Sequence, residues 1–112
     1  MLFYLSLKIM QKNELLAHIK RGILRRDPEA EVILFGSRAR DDEHPDSDWD
    51  ILVLTKKEVT YELERDFRDP IFDLELDTGE VISLMVYTKD DWQRLQEVSP
   101  LFLQVKKEGV PI

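Results

Sequence analysis

Cysteine is absent from the 112 residues. That removes disulfides, thiolate nucleophiles and zinc–thiolate sites, and it fits a cytoplasmic protein. Positive charge is in deficit, with 16 Lys and Arg against 23 Asp and Glu and a formal net charge of −7. Nonspecific nucleic-acid binding rests on basic side chains meeting phosphates, so it is not expected of this chain. Any polyphosphate partner would be repelled unless a cation bridged it. Long apolar runs are also lacking. The segment Met1 to Met10 is apolar but too short to span a bilayer, and it has neither a basic leader nor a small-residue cleavage site, so no membrane association is expected. Repeats, linkers and low-complexity tracts do not occur. Glycine is held to four positions, and each marks a place to ask what a side chain would obstruct.

What is present is a generous supply of Leu, Ile, Val and Phe. Such a composition folds despite its charge, and the length suits a single domain over residues 1–112. Residues 1–12 read as an N-terminal extension, with Met10 as an alternative start and the preceding segment as an extra helical turn or a packing surface.

Leu15, Leu16, Ile19, Ile23 and Leu24 recur at helical spacing, with Asn13 as the expected N-cap and Asp27-Pro28 as the stop. Lys20, Arg21, Arg25 and Arg26 cluster towards the end of that helix, where cations complement the dipole, and they read as a solvated face. His18 reads as a surface or core-edge residue and His44 as a loop residue. Val32 to Phe35 is an apolar, β-branched strand that stops at Gly36. Ser37-Arg38-Ala39-Arg40 can then form one helical turn whose N–H groups and hydroxyl face an anion. An acidic loop follows.

A second apolar strand, Ile51 to Leu54, opens on Asp48-Trp49-Asp50. From Val59 the pattern is helical, with Leu63, Phe67, Ile71, Leu74 and Thr78 on one stripe. Pro70 interrupts it, either restarting the helix with Asp69 as cap or kinking it, and Gly79 is the stop. Val81 to Tyr87 reads as a third buried strand. Thr88 caps a helix to Val98, and a last helix runs from Ser99-Pro100 to Glu108, ending at Gly109. Trp92, Leu95, Phe102, Leu103 and Val105 are expected in the core. The order predicts an α/β (α+β) chain with a small mixed sheet backed by helices.

The chemistry concentrates between Gly36 and Asp50. On a strand, Asp48 and Asp50 point to one face and Trp49 to the other. Two carboxylates so close repel each other, and each resists ionisation unless a cation sits between them; a divalent metal is the simplest remedy. Asp46, Asp48 and Asp50 also match the first three ligand positions of an EF-hand loop. That alternative fails, because the sixth position is Ile51 rather than Gly and the twelfth is Lys57 rather than Glu.

Gly36-Ser37, ten intervening residues, then Asp48-Trp49-Asp50 resembles the signature of the minimal nucleotidyltransferases in the DNA polymerase β-like superfamily. Arg38 and Arg40 match the GSRAR form of that motif, Ser47 to Ile51 matches its paired-acid block, and Ser99 to Gly109 is similar to the endings of small stand-alone members. The resemblance implies a nucleotidyltransferase core. It implies Mg²⁺ or Mn²⁺ on Asp48 and Asp50, and a nucleoside triphosphate held by Gly36, Ser37, Arg38 and Arg40. By the same resemblance a third carboxylate would fall near Ser83, where this sequence has no acid. Glu80 is the expected substitute, with Asp73, Glu75 and Asp77 as the other acids nearby.

Three functions stay open. The chain could be an active nucleotidyltransferase acting on a protein or small-molecule hydroxyl. It could be a weak or silent nucleotide-binding module, an antitoxin-like partner of a HEPN-domain ribonuclease. Or it could be a structural dimer. With no separate substrate domain in the sequence, a partner or a second copy forming a homodimer would supply acceptor recognition.

Overall fold

A computed structural model describes residues 11–112. The expectations for residues 1–10 lie outside the described residues. Element order is α1 (Lys12–Arg26), β1 (Glu31–Phe35), α2 (Ser37–Arg40), β2 (Trp49–Thr55), α3 (Tyr61–Thr78), β3 (Ile82–Thr88), α4 (Lys89–Leu95), a 3-10 turn (Gln96–Val98), α5 (Pro100–Glu108) and β4 (Val110–Pro111). Strand order is β3-β2-β1-β4. β1 runs antiparallel to β2 and β4, whereas β2 and β3 are parallel, which makes the sheet mixed as expected.

Alternation along the strands sorts the side chains into two layers. Val32, Leu34, Trp49, Ile51, Val53, Ile82 and Leu84 pack with Leu15, Ile19 and Ile23 of α1 and Phe67 and Ile71 of α3. Phe35, Leu52 and Leu54 pack on the other face with Trp92 of α4 and Val105 of α5. Each large apolar side chain buried this way contributes about 1.5–3 kcal/mol, so neither layer is dispensable. Leu103 departs from the expectation: it is 44% exposed. Leu101, Phe102 and Val105 take the sheet-facing side of α5, and helical geometry turns Leu103 away.

The start of α1 also departs from the sequence reading, while its close at Asp27 is as expected. Gln11, not Asn13, is the N-cap, and its side chain makes no capping bond. The longer start is held from a distance: Lys12 Nζ donates to the Arg38 carbonyl at 2.6 Å and to Asp41 Oδ1 at 3.1 Å. At the other end, Asp27 is buried and accepts a hydrogen bond from Thr55 Oγ1 at 2.5 Å. That contact ties the close of α1 to the close of β2. β4 lay beyond sequence reading, since two residues that include a proline carry no strand period.

Pro70 neither restarts nor breaks α3, which is continuous from the Thr60 cap to Gly79. Its ring packs on Gly22, where an added Cβ would come within 3.0 Å of Pro70 Cβ. Pro70 has no N–H for the Asp66 carbonyl four residues back, and Arg26 Nε donates to that carbonyl instead, at 3.2 Å. Arg26 is thus more than a solvated charge. Arg26→Ala should lower stability by about 0.5–1 kcal/mol. The loss should shrink in a Pro70→Ala background, where residue 70 regains its own donor, and a urea-denaturation double-mutant cycle reads the difference.

Candidate functional site

β1 delivers the chain to Gly36, whose backbone stands at φ 77, ψ −162. Only glycine occupies that region without strain. A second constraint acts at the same atom, because a Cβ on Gly36 would collide with Oδ2 of Asp50. The carboxylate of Asp50 therefore lies directly over the glycine. α2 follows, with the Ala39 and Arg40 amides donating back to the Gly36 carbonyl at 3.0 and 3.2 Å. Asp41, left-handed at φ 58, closes it. Two of the amides expected to face an anion are thus used inside the turn.

Trp49 is buried on the α1/α3 side of the sheet, so Asp50, next along β2, faces the α4/α5 side with Leu52 and Leu54. Burial raises the Asp50 carboxyl above its ordinary value; the charges of Asp48 and Glu108 push it further up, and Arg40 opposes them. Asp48 is exposed at the strand mouth. The two acids and the glycine meet at one corner.

Glu108, the last residue of α5, arrives at the same corner. Its Oε2 accepts from the Gly36 N–H at 2.6 Å and from Arg40 Nη1 at 2.8 Å, and its side chain is 13% exposed. Arg40 also donates to Asp42 at 3.1 Å, and both acids hold the guanidinium pKa above its usual value, Asp42 the more strongly. Sequence reading does not single out Glu108. The one available signal is that an acid ends a helix, where the dipole disfavours it.

Two expected residues lie elsewhere. Arg38 is buried, donates to the Ser47 carbonyl at 2.9 Å and the Pro45 carbonyl at 3.4 Å, and lies 4.5 Å from the Trp49 ring centroid. It pins the acidic loop on the tryptophan side of β2. Glu80 accepts from Trp49 Nε1 at 3.1 Å and sits 3.6 Å from Arg38 Nη2. Both belong to the tryptophan side of β2, so Glu80 does not join Asp50. The reason is register: Asp50 pairs with Ser83, and Trp49 with Ile82. Ser83 stands across from Asp50 on β3, with no carboxylate. Glu75 is bound to the Ile82 amide at 2.9 Å, and Asp73 and Asp77 line a groove with His18, Arg21 and Arg25 between α1 and α3, away from the corner.

Asp48 and Asp50 offer hard oxygen donors, and no hydrogen bond among the described residues relieves the charge of Asp50. They fit a divalent cation. Among the described residues no set of three His, Asp or Glu side chains forms a metal cage, so a cation there would take its other ligands from water and phosphate oxygens, as Mg²⁺ does.

The profile of the nucleotidyltransferase domain matches residues 16–101. No curated protein is significantly similar in sequence. Among solved structures, a minimal nucleotidyltransferase superposes with a TM-score of 0.60 at 24% identity, over 93% of this chain and 98% of that one. A mutant form of the toxin–antitoxin MntA–HpeT gives 0.55 at 21% identity, over 92% and 72%. A toxin–antitoxin with AMP-PNP gives 0.55 at 22% identity, over 83% and 68%. These likenesses concern the fold. Among the described residues no helix is long and apolar enough to cross a membrane. The profile match spans most of the chain, and the protein belongs to the nucleotidyltransferase domain family.

Proposed function

We propose that this chain binds a nucleoside triphosphate through Mg²⁺ or Mn²⁺ on Asp48 and Asp50 and transfers the nucleoside monophosphate to a hydroxyl of a protein or small molecule. The observation that carries this reading is the Asp50 carboxylate lying over the bare α-carbon of Gly36, which puts a cation's ligand beside the glycine turn. A cation bound there would neutralise charge on the phosphate oxygens. Gly36 leaves the backbone unobstructed, Ser37 offers a hydroxyl, and Arg40 offers a guanidinium. Asp48 and Asp50 would hold the cation, which would supply charge neutralisation at the α-phosphate. The acceptor oxygen bonds to the α-phosphorus, its bond to the bridging oxygen breaks, and pyrophosphate leaves while the hydroxyl proton passes to base or solvent. The lack of cysteine fits work in the cytoplasm.

Ser83 favours a second reading. With no carboxylate across from Asp50 to take the acceptor's proton, the chain would bind nucleotide and turn over slowly or not at all, as an antitoxin-like partner of a HEPN-type ribonuclease. Two structurally similar proteins are toxin–antitoxin assemblies, one with AMP-PNP. Under the first reading a partner chain or a second copy recognises the acceptor; under the second the ribonuclease is the partner.

The test is to present each of the four nucleoside triphosphates, labelled at the α-phosphate, with Mg²⁺ or Mn²⁺, with and without the product of the adjacent reading frame. Metal-dependent label on an acceptor, with pyrophosphate release, is the expected result. Metal-dependent nucleotide binding by calorimetry without label supports the second reading. Absence of both overturns the two together.

A further inference from the structure

We propose that Glu108 is a side-chain latch that occupies the phosphate seat and must be displaced before a metal-bound polyphosphate can enter. The inference deepens the nucleotide-binding reading and rests on it. One carboxylate oxygen of Glu108 takes both the Gly36 N–H, at 2.6 Å, and Arg40 Nη1, at 2.8 Å. A backbone amide and a guanidinium converging on one anionic oxygen is the environment a phosphate oxygen takes. The acid therefore stands in for the ligand on the donors the ligand needs, and with Asp42 it holds the positive charge of Arg40.

Local preference does not account for this placement. Glu108 ends α5 immediately after Lys106 and Lys107, and an anion at a helix C-terminus opposes the dipole. What holds the carboxylate is the pair of donors across the corner.

Nor does Glu108 replace the carboxylate missing at Ser83. It approaches from the β1 side, through Gly36, whereas Ser83 lies across β2 on the opposite side of Asp50. A third negative charge on the phosphate side of two aspartates repels a polyphosphate.

Opening requires little of the fold. The Gly109 N–H donates to the Val105 carbonyl at 2.7 Å, and a Cβ at Gly109 would collide with that carbonyl and with Ile33. β4 pairs with Ile33 and Leu34 of β1, and the Ile112 amide donates to the Val32 carbonyl at 3.0 Å. The backbone on either side of the latch is therefore anchored, and release is a rotamer change of Glu108 that frees the Gly36 amide and Arg40 Nη1 in one movement, leaving Arg40 Nε on Asp42.

The experiment compares wild type and Glu108→Gln, which keeps the shape and removes the charge, with Glu108→Ala as a second variant. Calorimetry with Mg²⁺–tripolyphosphate and Mg²⁺–AMP-PNP should show both variants binding about tenfold more tightly, as for a latch shut about nine-tenths of the time. Equal or weaker binding by the variants, with wild type still binding, overturns the latch and leaves the nucleotide reading standing. No binding by any form overturns both. Should the variants fail to fold, carboxyl-¹³C spectra of wild type decide: the Glu108 resonance should move on saturation with Mg²⁺–AMP-PNP, and a fixed resonance overturns the proposal.

Discussion

Asp50→Asn should cut nucleotidyl transfer at least about a thousandfold while making the metal-free protein harder to unfold. The two effects share one cause. Asp50 is partly buried beside Asp48 and Glu108, and its carboxyl is held above the ordinary value of 3.8 chiefly by that burial. In an acid, a raised native pKa means that the native state binds protons more tightly than the unfolded state, so stability falls as pH rises through the window from 3.8 upwards. Asparagine removes that cost at neutral pH and keeps the shape. The variant should melt a few degrees higher than wild type at pH 7, and the gap should close as the pH is taken below the ordinary aspartate value. Added Mg²⁺ should then raise the melting temperature of wild type and leave that of the variant in place. A variant that transfers label as well as wild type does would remove Asp50 from the chemistry.

Gly36→Ala should lose both stability and nucleotide binding, in contrast. The backbone conformation at Gly36 costs a non-glycine residue about 1–3 kcal/mol. The new methyl would also drive Asp50 off the corner, since the two would overlap. Chemical denaturation should register a loss of about 2–3 kcal/mol. Calorimetry with Mg²⁺–AMP-PNP should register a weakening of at least about tenfold. Because Asp50→Asn stabilises and Gly36→Ala destabilises, the pair separates loss of a charge from loss of the corner's shape.

Most of the architecture was legible in the sequence, because it follows from period and punctuation. The stripe from Leu63 to Thr78 gave α3, the apolar runs gave three strands, and Gly36, Gly79 and Gly109 marked where elements end. The corner of Gly36 and Asp50 was legible as a spacing. What escaped was decided across the fold. Arg38 and Arg40 are two residues apart on one short turn, yet one is buried over Trp49 and the other lies beside Glu108. Nothing along the chain separates their fates. Glu80 stands near the expected strand position, but strand parity puts its partner, Trp49, on the opposite face from Asp50. Glu108 is 72 residues from Gly36, and no local pattern could join them.

The pairing of β2 with β3 in parallel, with Ser83 level with Asp50, has one more implication. The Ser83 hydroxymethyl group stands on the Asp50 face of the sheet, so a carboxylate could stand there without any backbone being moved. Under the function proposed above, a protein that writes a nucleotide onto a target and one that merely carries it could share this frame intact. They would differ by the choice of side chain at a single rung, which makes the two behaviours close neighbours in sequence space.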